Sequence, residues 1–295
     1  MSRIAYVNGQ YVPYAQAGVH VEDRGFQFAD GVYEVVAVSD GGFVDLDGHL
    51  ARLERSLDEL RIARPMTRAA LSVVLRETVR RNRVRNGSVY LQVTRGAAKR
   101  EFAFPAGIAP TVVAIARHLD WSKAAANAAK GVPAITRPDI RWGRCDIKTV
   151  GLLPAALAKQ AAKEAGAYEA WLVDTEGFVT EGSSSNAWIV TKDNVLVTRA
   201  PSTDILSGIT RSAVLELARR EGLTVEFRAF TVAEAQAAKE AFVSSATSYV
   251  IPVVTLDGKP IGNGGPGVVA SRLRGLYEAH AQVHSADWQA PFIAP

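Results

Sequence analysis

Asn8-Gly9 sits at the centre of an alternating stretch, residues 4–12, and both positions accept the positive φ that a tight two-residue hairpin requires. The theme returns at 32–46, VYEVVAVSDGGFVDL, where β-rich arms flank Asp40-Gly41-Gly42. Helical periodicity follows. Leu50, Leu53, Leu57 and Leu60 recur at spacings of three and four, which predicts a helix over 49–62, and a second is expected from the N-cap Thr67 to Gly87. Residues 88–95 and 111–118 alternate as strands, so the first 118 residues read as a mixed α+β unit.

The Ala-rich stretch 119–138, punctuated by Gly131, Pro133 and Pro138, marks a domain junction near 119–125. The second half predicts a helix near 152–165, hairpins at 168–181 and 186–198, a helix at 209–221, and strands over 240–257 with Asp257-Gly258 as a turn. A chain of 295 residues exceeds what one hydrophobic core usually organises. The expected division is an N-terminal α+β domain at 1–120, a C-terminal domain at 121–284, and a tail at 285–295 that docks through Trp288 and Phe292.

Charge and cysteine content exclude several classes. Lys and Arg exceed Asp and Glu by only 34 to 30, and the cluster RRNRVR at 80–85 closes an expected helix, where it complements the dipole and solvates the end. No nucleic-acid partner is expected. Cys145 is the single cysteine, so no intrachain disulfide can form and a reducing, cytoplasmic setting fits. The start, MSRIAYVNGQYV, lacks the apolar core of a signal peptide, and no window approaches 18 uninterrupted apolar residues, so no membrane partner is expected. Metal-ligand spacings, the GxSxG elbow and the GxxxxGK[ST] phosphate loop are all missing.

What remains is a set of segments that are each bland alone. Lys148, in RCDIKTVGLLPAALAKQ, is either a solvated charge ahead of a helix or a Schiff-base amine whose burial among Ile147, Val150, Leu152 and Leu153 disfavours its charge. Glu181, in VTEGSSSN at 179–186, is either a turn carboxylate or the partner of a protonated ring nitrogen. Ile209 and Thr210, in SGIT, open a helix whose unpaired N–H groups suit a phosphate or a simple cap. Arg52 lies about 200° around its helix from Leu50, which alone reads as solvated. Arg100, in TRGAAKREFAFP, follows a strand and a glycine turn, where a carboxylate clamp and a surface arginine fit equally.

Taken in order, these segments resemble the fold-type IV pyridoxal-phosphate enzymes, most closely the D-amino-acid aminotransferases. The likeness runs through EDRGFQFADGVYEVV at 22–36, HLARLERSLDELRI at 49–62, CDIKTVGLLPAALAKQ at 145–160, YEAWLVD at 168–174, VTEGSSSN at 179–186 and DILSGITR at 204–211. Branched-chain L-aminotransferases, usually EGSGEN in the loop, and aminodeoxychorismate lyases are the alternatives within the superfamily; EGSSSN favours the D-amino-acid branch. A scaffold protein that merely kept the fold is the non-enzymatic alternative.

The resemblance implies an α+β fold of two domains, the smaller N-terminal and the larger C-terminal one barrel-like, with pyridoxal 5'-phosphate at their interface. It implies a homodimer that moves an amino group from a D-amino acid to a 2-oxo acid by a ping-pong route. Lys148 would hold the cofactor as a Schiff base and shuttle the proton, and Glu181 would pair with the pyridine nitrogen. Arg52, Ile209, Thr210, Ser245, Ala246 and Thr247 would hold the phosphate, and Leu206 would pack on the ring. Tyr33 and Arg100 would bind the substrate carboxylate, Arg100 from the partner subunit. Two departures stand out: Arg100-Glu101-Phe102 replaces the family's Arg-x-His, and Ala246 replaces a common threonine. A hydrogen bond to a charged group contributes roughly 1.5 to 3 kcal/mol, so the first departure implies weaker carboxylate binding and relaxed specificity toward (R)-amines.

Overall fold

The computed structural model describes residues 3–286, and the chain forms two compact units. Among the described residues, one comprises residues 3–120, Ile147–Gly151 and 281–286; the other comprises Trp121–Asp146 and Leu152–His280. The units are therefore not consecutive in sequence. Ile147–Gly151, which carries Lys148, and residues 281–286 belong with the first unit, although both were expected in or beside the 121–284 segment. The expected tail, with Trp288 and Phe292, lies outside the described residues except for Ser285 and Ala286, which end the last helix.

The first unit is built on strands β1 (Ile4–Val7), β2 (Gln10–Pro13), β3 (Gly31–Ser39), β4 (Gly42–Phe43), β5 (Gly87–Thr94) and β6 (Thr111–His118). They form one antiparallel sheet in the order β2-β1-β6-β5-β3-β4. Asn8 (φ 45°) and Gly9 (φ 93°) make the β1–β2 turn as their residue types demand. Helices α1 (Arg24–Phe28), α2 (Leu46–Glu59) and α3 (Arg68–Arg81) complete the unit. Leu46, Leu50, Leu53 and Leu57 of α2 are all buried in a core shared with Val32, Val36 and Val38 of β3. Burying one such leucine contributes about 1.5 to 3 kcal/mol.

Helix α3 starts as expected, with the Thr67 hydroxyl accepting from the Ala70 N–H at 3.2 Å. It ends at Arg81, short of the expected Gly87. Asn82 causes the stop: its side chain accepts from the Ile4 N–H (2.9 Å) and donates to the Ile4 carbonyl (2.8 Å), and Arg83 turns to φ 53°. Of the RRNRVR cluster, Arg80 and Arg81 pair with Glu77 and Arg85 pairs with Asp40, all on the surface, in keeping with a solvated helix end.

The second unit carries strands β7 (Val132–Pro138), β8 (Glu169–Val173), β9 (Val179–Gly182), β10 (Asn186–Val190), β11 (Leu196–Thr198), β12 (Val225–Phe227), β13 (Glu240–Ser245), β14 (Tyr249–Leu256) and β15 (Lys259–Pro260). Their sheet runs β12-β11-β10-β13-β14-β7-β8-β9, with β15 on β14, and is mixed: β7 lies parallel to both β14 and β8, and β11 to β12. The helices are α4 (Trp121–Lys130), α5 (Leu153–Glu164), α6 (Ile209–Arg220), α7 (Val232–Ala237) and α8 (Val268–Ala286). The stretch expected as a junction thus folds into α4 and β7, because a run of alanines favours helix when one face can pack. Among the described residues no helix is long and apolar enough to cross a membrane.

The α2 stripe is the single largest contributor to the first core. Leu53→Ala should lower the unfolding free energy by about 2 to 5 kcal/mol in urea titration; a loss below about 1 kcal/mol would show that the core collapses around the gap.

Candidate active site

Strand β3 sends alternate residues to opposite faces, and its two central side chains have different tasks. Val32, Glu34, Val36 and Val38 are buried on the α2 side, whereas Tyr33 points the other way and stacks on Tyr90 at 5.6 Å between ring centroids. Burial, reinforced by Tyr33, pushes the Tyr90 hydroxyl up to about 12. Residues 147–151 run beside β3 as an extra antiparallel segment. The Tyr33 N–H donates to the Lys148 carbonyl and the Val150 N–H to the Gly31 carbonyl, both at 3.0 Å, while Val32 and Thr149 pair directly. Ile147 is sunk in the first unit's core. This backbone pairing places the Lys148 amine 3.2 Å from the Tyr33 hydroxyl and 4.3 Å from its ring centroid.

Glu34 places a carboxylate in the apolar face of β3, a position that demands partners. Arg52 grips it with two hydrogen bonds of 2.8 Å, and the His49 ring lies 2.7 Å from it. Burial alone would raise the Glu34 pKa, but the charge and hydrogen bonds of Arg52, then of His49, bring it to about 2. Arg52 is consequently largely covered, its side chain 9% exposed, and oriented, where its helical angle alone suggested a solvated side chain. A glutamate alternating with valines in GVYEVV was the available signal for this partner.

In the second unit Glu181, at the end of β9, is buried and accepts from the Asn186 side-chain amide (2.9 Å), the Leu206 N–H (3.2 Å) and the Arg141 guanidinium. Arg141 is itself held by Asp139 at 2.7 Å and donates to the Asp204 carbonyl at 2.9 Å. Burial works against its charge, and Asp139 and Glu181 more than restore it, so its pKa rises. Asn186 also donates to the Leu206 carbonyl at 2.9 Å. It therefore links the carboxylate to the segment entering α6. Gly208, the N-cap of α6, supplies no side-chain cap, and a Cβ there would come within 2.1 Å of the Asn186 side-chain oxygen. Glycine is required at that close approach.

Ile209 and Thr210 open α6, and the Thr210 hydroxyl lies 3.4 Å from that of Tyr277. Ser245 ends β13, and Ala246, Thr247 and Ser248 form the half-buried turn that leads into β14. The serines of EGSSSN serve a further carboxylate. Ser183, Ser184 and Ser185 all donate to buried Glu169, at 2.5, 2.9 and 2.9 Å. Sequence reasoning missed Arg141, Asn186 and Glu169, since an Arg, an Asn and a Glu in otherwise ordinary segments carry no signal until folding gathers them. Arg100 stands exposed on a loop after β5, its guanidinium 5.1 Å from the Phe28 ring and 5.8 Å from that of Phe102.

The model of the amino-transferase class IV family matches residues 31–256. The chain belongs to the class IV aminotransferases. It is similar to the D-alanine aminotransferase of Bacillus licheniformis, with 44% identity over 267 residues, 90% of this chain and 93% of that protein. The D-alanine aminotransferase of Staphylococcus epidermidis is 36% identical over 281 residues, 95% of this chain and 98% of the relative. Among solved structures, a branched-chain amino acid aminotransferase from T.th., with pyridoxamine 5'-phosphate, superimposes with a TM-score of 0.87 at 30% identity, covering 96% of this chain and 95% of that one.

As a class IV aminotransferase the protein is a pyridoxal-phosphate-dependent transaminase of fold type IV. The residues present fit that cofactor. Lys148 offers an amine set against an aromatic hydroxyl, Glu181 a buried carboxylate for a ring N–H, and the start of α6 a set of N–H groups that no side chain caps.

Glu34 generates a pH test. Its pKa falls from 4.5 to about 2 on folding, so its contribution to stability is complete above pH 4.5 and is lost as pH drops through about 2. The difference in urea-unfolding free energy between wild type and Glu34→Gln should be flat above about pH 5 and shrink below it. A difference independent of pH would show that the carboxylate's charge plays no part.

Proposed function

We propose that the protein transfers the amino group of a D-amino acid, D-alanine among them, to a 2-oxo acid by a ping-pong reaction. The observation that carries this reading is the likeness to D-alanine aminotransferases over nearly the whole chain, joined to the pairing of Lys148 with Tyr33. When bound, pyridoxal phosphate supplies an electrophilic carbon for the amine and a ring that withdraws electron density.

The remaining work falls to this chain's residues. Lys148 would hold the cofactor through its amine and would serve as the base that takes the proton from the substrate α carbon. Tyr33, 3.2 Å from the amine, orients Lys148 by hydrogen bonding and meets the substrate carboxylate. Glu181 would accept from a protonated pyridine nitrogen, and Arg141, Asn186 and the Leu206 N–H hold its carboxylate in place. Leu206 would pack against the cofactor ring. Arg52, Ile209, Thr210 and the run Ser245-Ala246-Thr247 would hold the phosphate, and Glu34 and His49 orient Arg52. Arg100 binds the substrate carboxylate.

We also propose a homodimer that works in the cytoplasm. Phe26, Phe102 and Val21, each more than 70% exposed on the first unit, are large apolar side chains that a second copy would cover, and Arg100 stands beside Phe102. The single cysteine suits a reducing compartment.

Three outcomes follow. Lys148→Ala should abolish transamination, and borohydride should attach the cofactor to Lys148 in the wild type; labelling elsewhere would refute the assignment. D-alanine should discharge the yellow holoenzyme's absorption while L-alanine, L-leucine and L-valine leave it; discharge by L-leucine would favour the branched-chain reading, which the likeness to the T.th. enzyme supports. With Phe102 in place of histidine, bulky D-amino acids and (R)-phenylethylamine should serve as donors beside D-alanine, and strict preference for D-glutamate would count against this.

A further inference from the structure

The loop bearing Arg100 has little of its own to hold it. Arg100 is exposed and Phe102 is 76% exposed, so burial of its own side chains does not order the segment. The restraint comes from below. Arg24, the first residue of α1, is 3% exposed, and its two terminal nitrogens donate to the carbonyls of Glu101 (2.5 Å) and Phe102 (3.4 Å). Its Nε donates to Asp30 at 2.7 Å.

Asp30 is the pivot of this cluster. Arg95 grips the same carboxylate through two bonds of 2.7 and 3.0 Å, and its remaining N–H groups donate to the Leu60 and Arg61 carbonyls at the end of α2, each at 2.8 Å. Two buried arginines thus share one buried aspartate, and each directs its surplus donors to main-chain carbonyls, one set in the Arg100 loop. Helix α1 is fastened independently: Asp23 accepts from the Gly25 N–H (2.8 Å) and the Thr94 hydroxyl (3.0 Å), and the Arg24 N–H donates to the Gly96 carbonyl at 2.9 Å. Arg24 is therefore a rigid post. The rings follow it, with Phe28 4.6 Å from the Arg24 guanidinium, Phe102 edge-on to Phe28 at 5.5 Å, and Phe104 3.6 Å from that of Arg95.

A buried guanidinium whose terminal donors face these carbonyls resists any loop shape that withdraws them, since it would then be left desolvated and unpaired. We propose that Arg24 is a positioning residue for substrate selection: by fixing the Glu101 and Phe102 carbonyls it sets where Arg100 presents its guanidinium and where the Phe102 ring stands. This rests on the reading that Arg100 binds the substrate carboxylate. Arg24 itself faces the loop's main chain and not the substrate, so its removal should weaken carboxylate binding and leave the chemistry at Lys148 in place.

The test uses the holoenzymes of Arg24→Gln, Arg24→Lys and Arg100→Met. Arg24→Gln should raise the KM for D-alanine about tenfold with kcat changed less than about twofold, and Arg24→Lys, which keeps the charge at Asp30 but loses the fork, about threefold. Hydroxylamine, an amine without a carboxylate, should react with the bound cofactor at the wild-type rate in both variants. An unchanged KM, or a matching fall in kcat and in the hydroxylamine rate, overturns the proposal, the second because it marks general damage. If Arg24→Gln yields no soluble holoenzyme, Arg24→Lys decides by the same criteria. Arg100→Met separates the two levels: if it leaves the KM for D-alanine unchanged, the carboxylate reading fails, and if it raises KM while neither Arg24 variant does, only the positioning role fails.

Discussion

The pairing of residues 147–151 with β3 is the interaction that sets where Lys148 lies. A lysine more than a hundred positions along the chain is delivered to Tyr33 by main-chain hydrogen bonds, so its place is set by the sheet and not by its own flexible side chain. Ile147 anchors one end of that segment in the first core. Four methylenes of lysine otherwise permit many rotamers, and fixing both backbone and neighbour leaves few.

A similar restraint governs the charges. Three charges are each held by a partner that has a further partner of its own: Arg52 by Glu34 with His49, Glu181 by Arg141 with Asp139, and Arg24, which holds the loop of Arg100, by Asp30 with Arg95. Burying such pairs adds little net stability, since desolvation offsets attraction. What it secures is geometry, because any rearrangement strands an unpaired charge.

Much of the fold was legible because periodicity and turn chemistry report local structure directly. Asn8-Gly9, the α2 leucines, the Thr67 cap and Pro154 in the first turn of α5 all sit where their residue types require. The end of α3 was not legible, because Asn82 stops it by bonding to Ile4, 78 positions away. Helix α4 was hidden by the glycine and prolines around it, and the membership of 147–151 in the first unit by its distance in sequence. Of the site, Lys148, Glu181 and Arg52 stood out through their resemblance to a family. Their partners Glu34, Arg141 and Asp30 did not, since a buried ion pair has no signature in one dimension.

One consequence of the alternation in β3 concerns how this gene can change. Tyr33 and Glu34 are neighbours with duties on opposite faces, one toward the lysine amine and the other toward Arg52. Insertion or deletion of one residue within Gly31–Ser39 exchanges the faces of every residue on one side of the change. The loop at Asp40-Gly41 has no such parity to keep. Length variation in descendants of this chain should therefore gather at the hairpin tip and leave the strand's count of residues untouched, a reading frame imposed by pleat geometry instead of by codons.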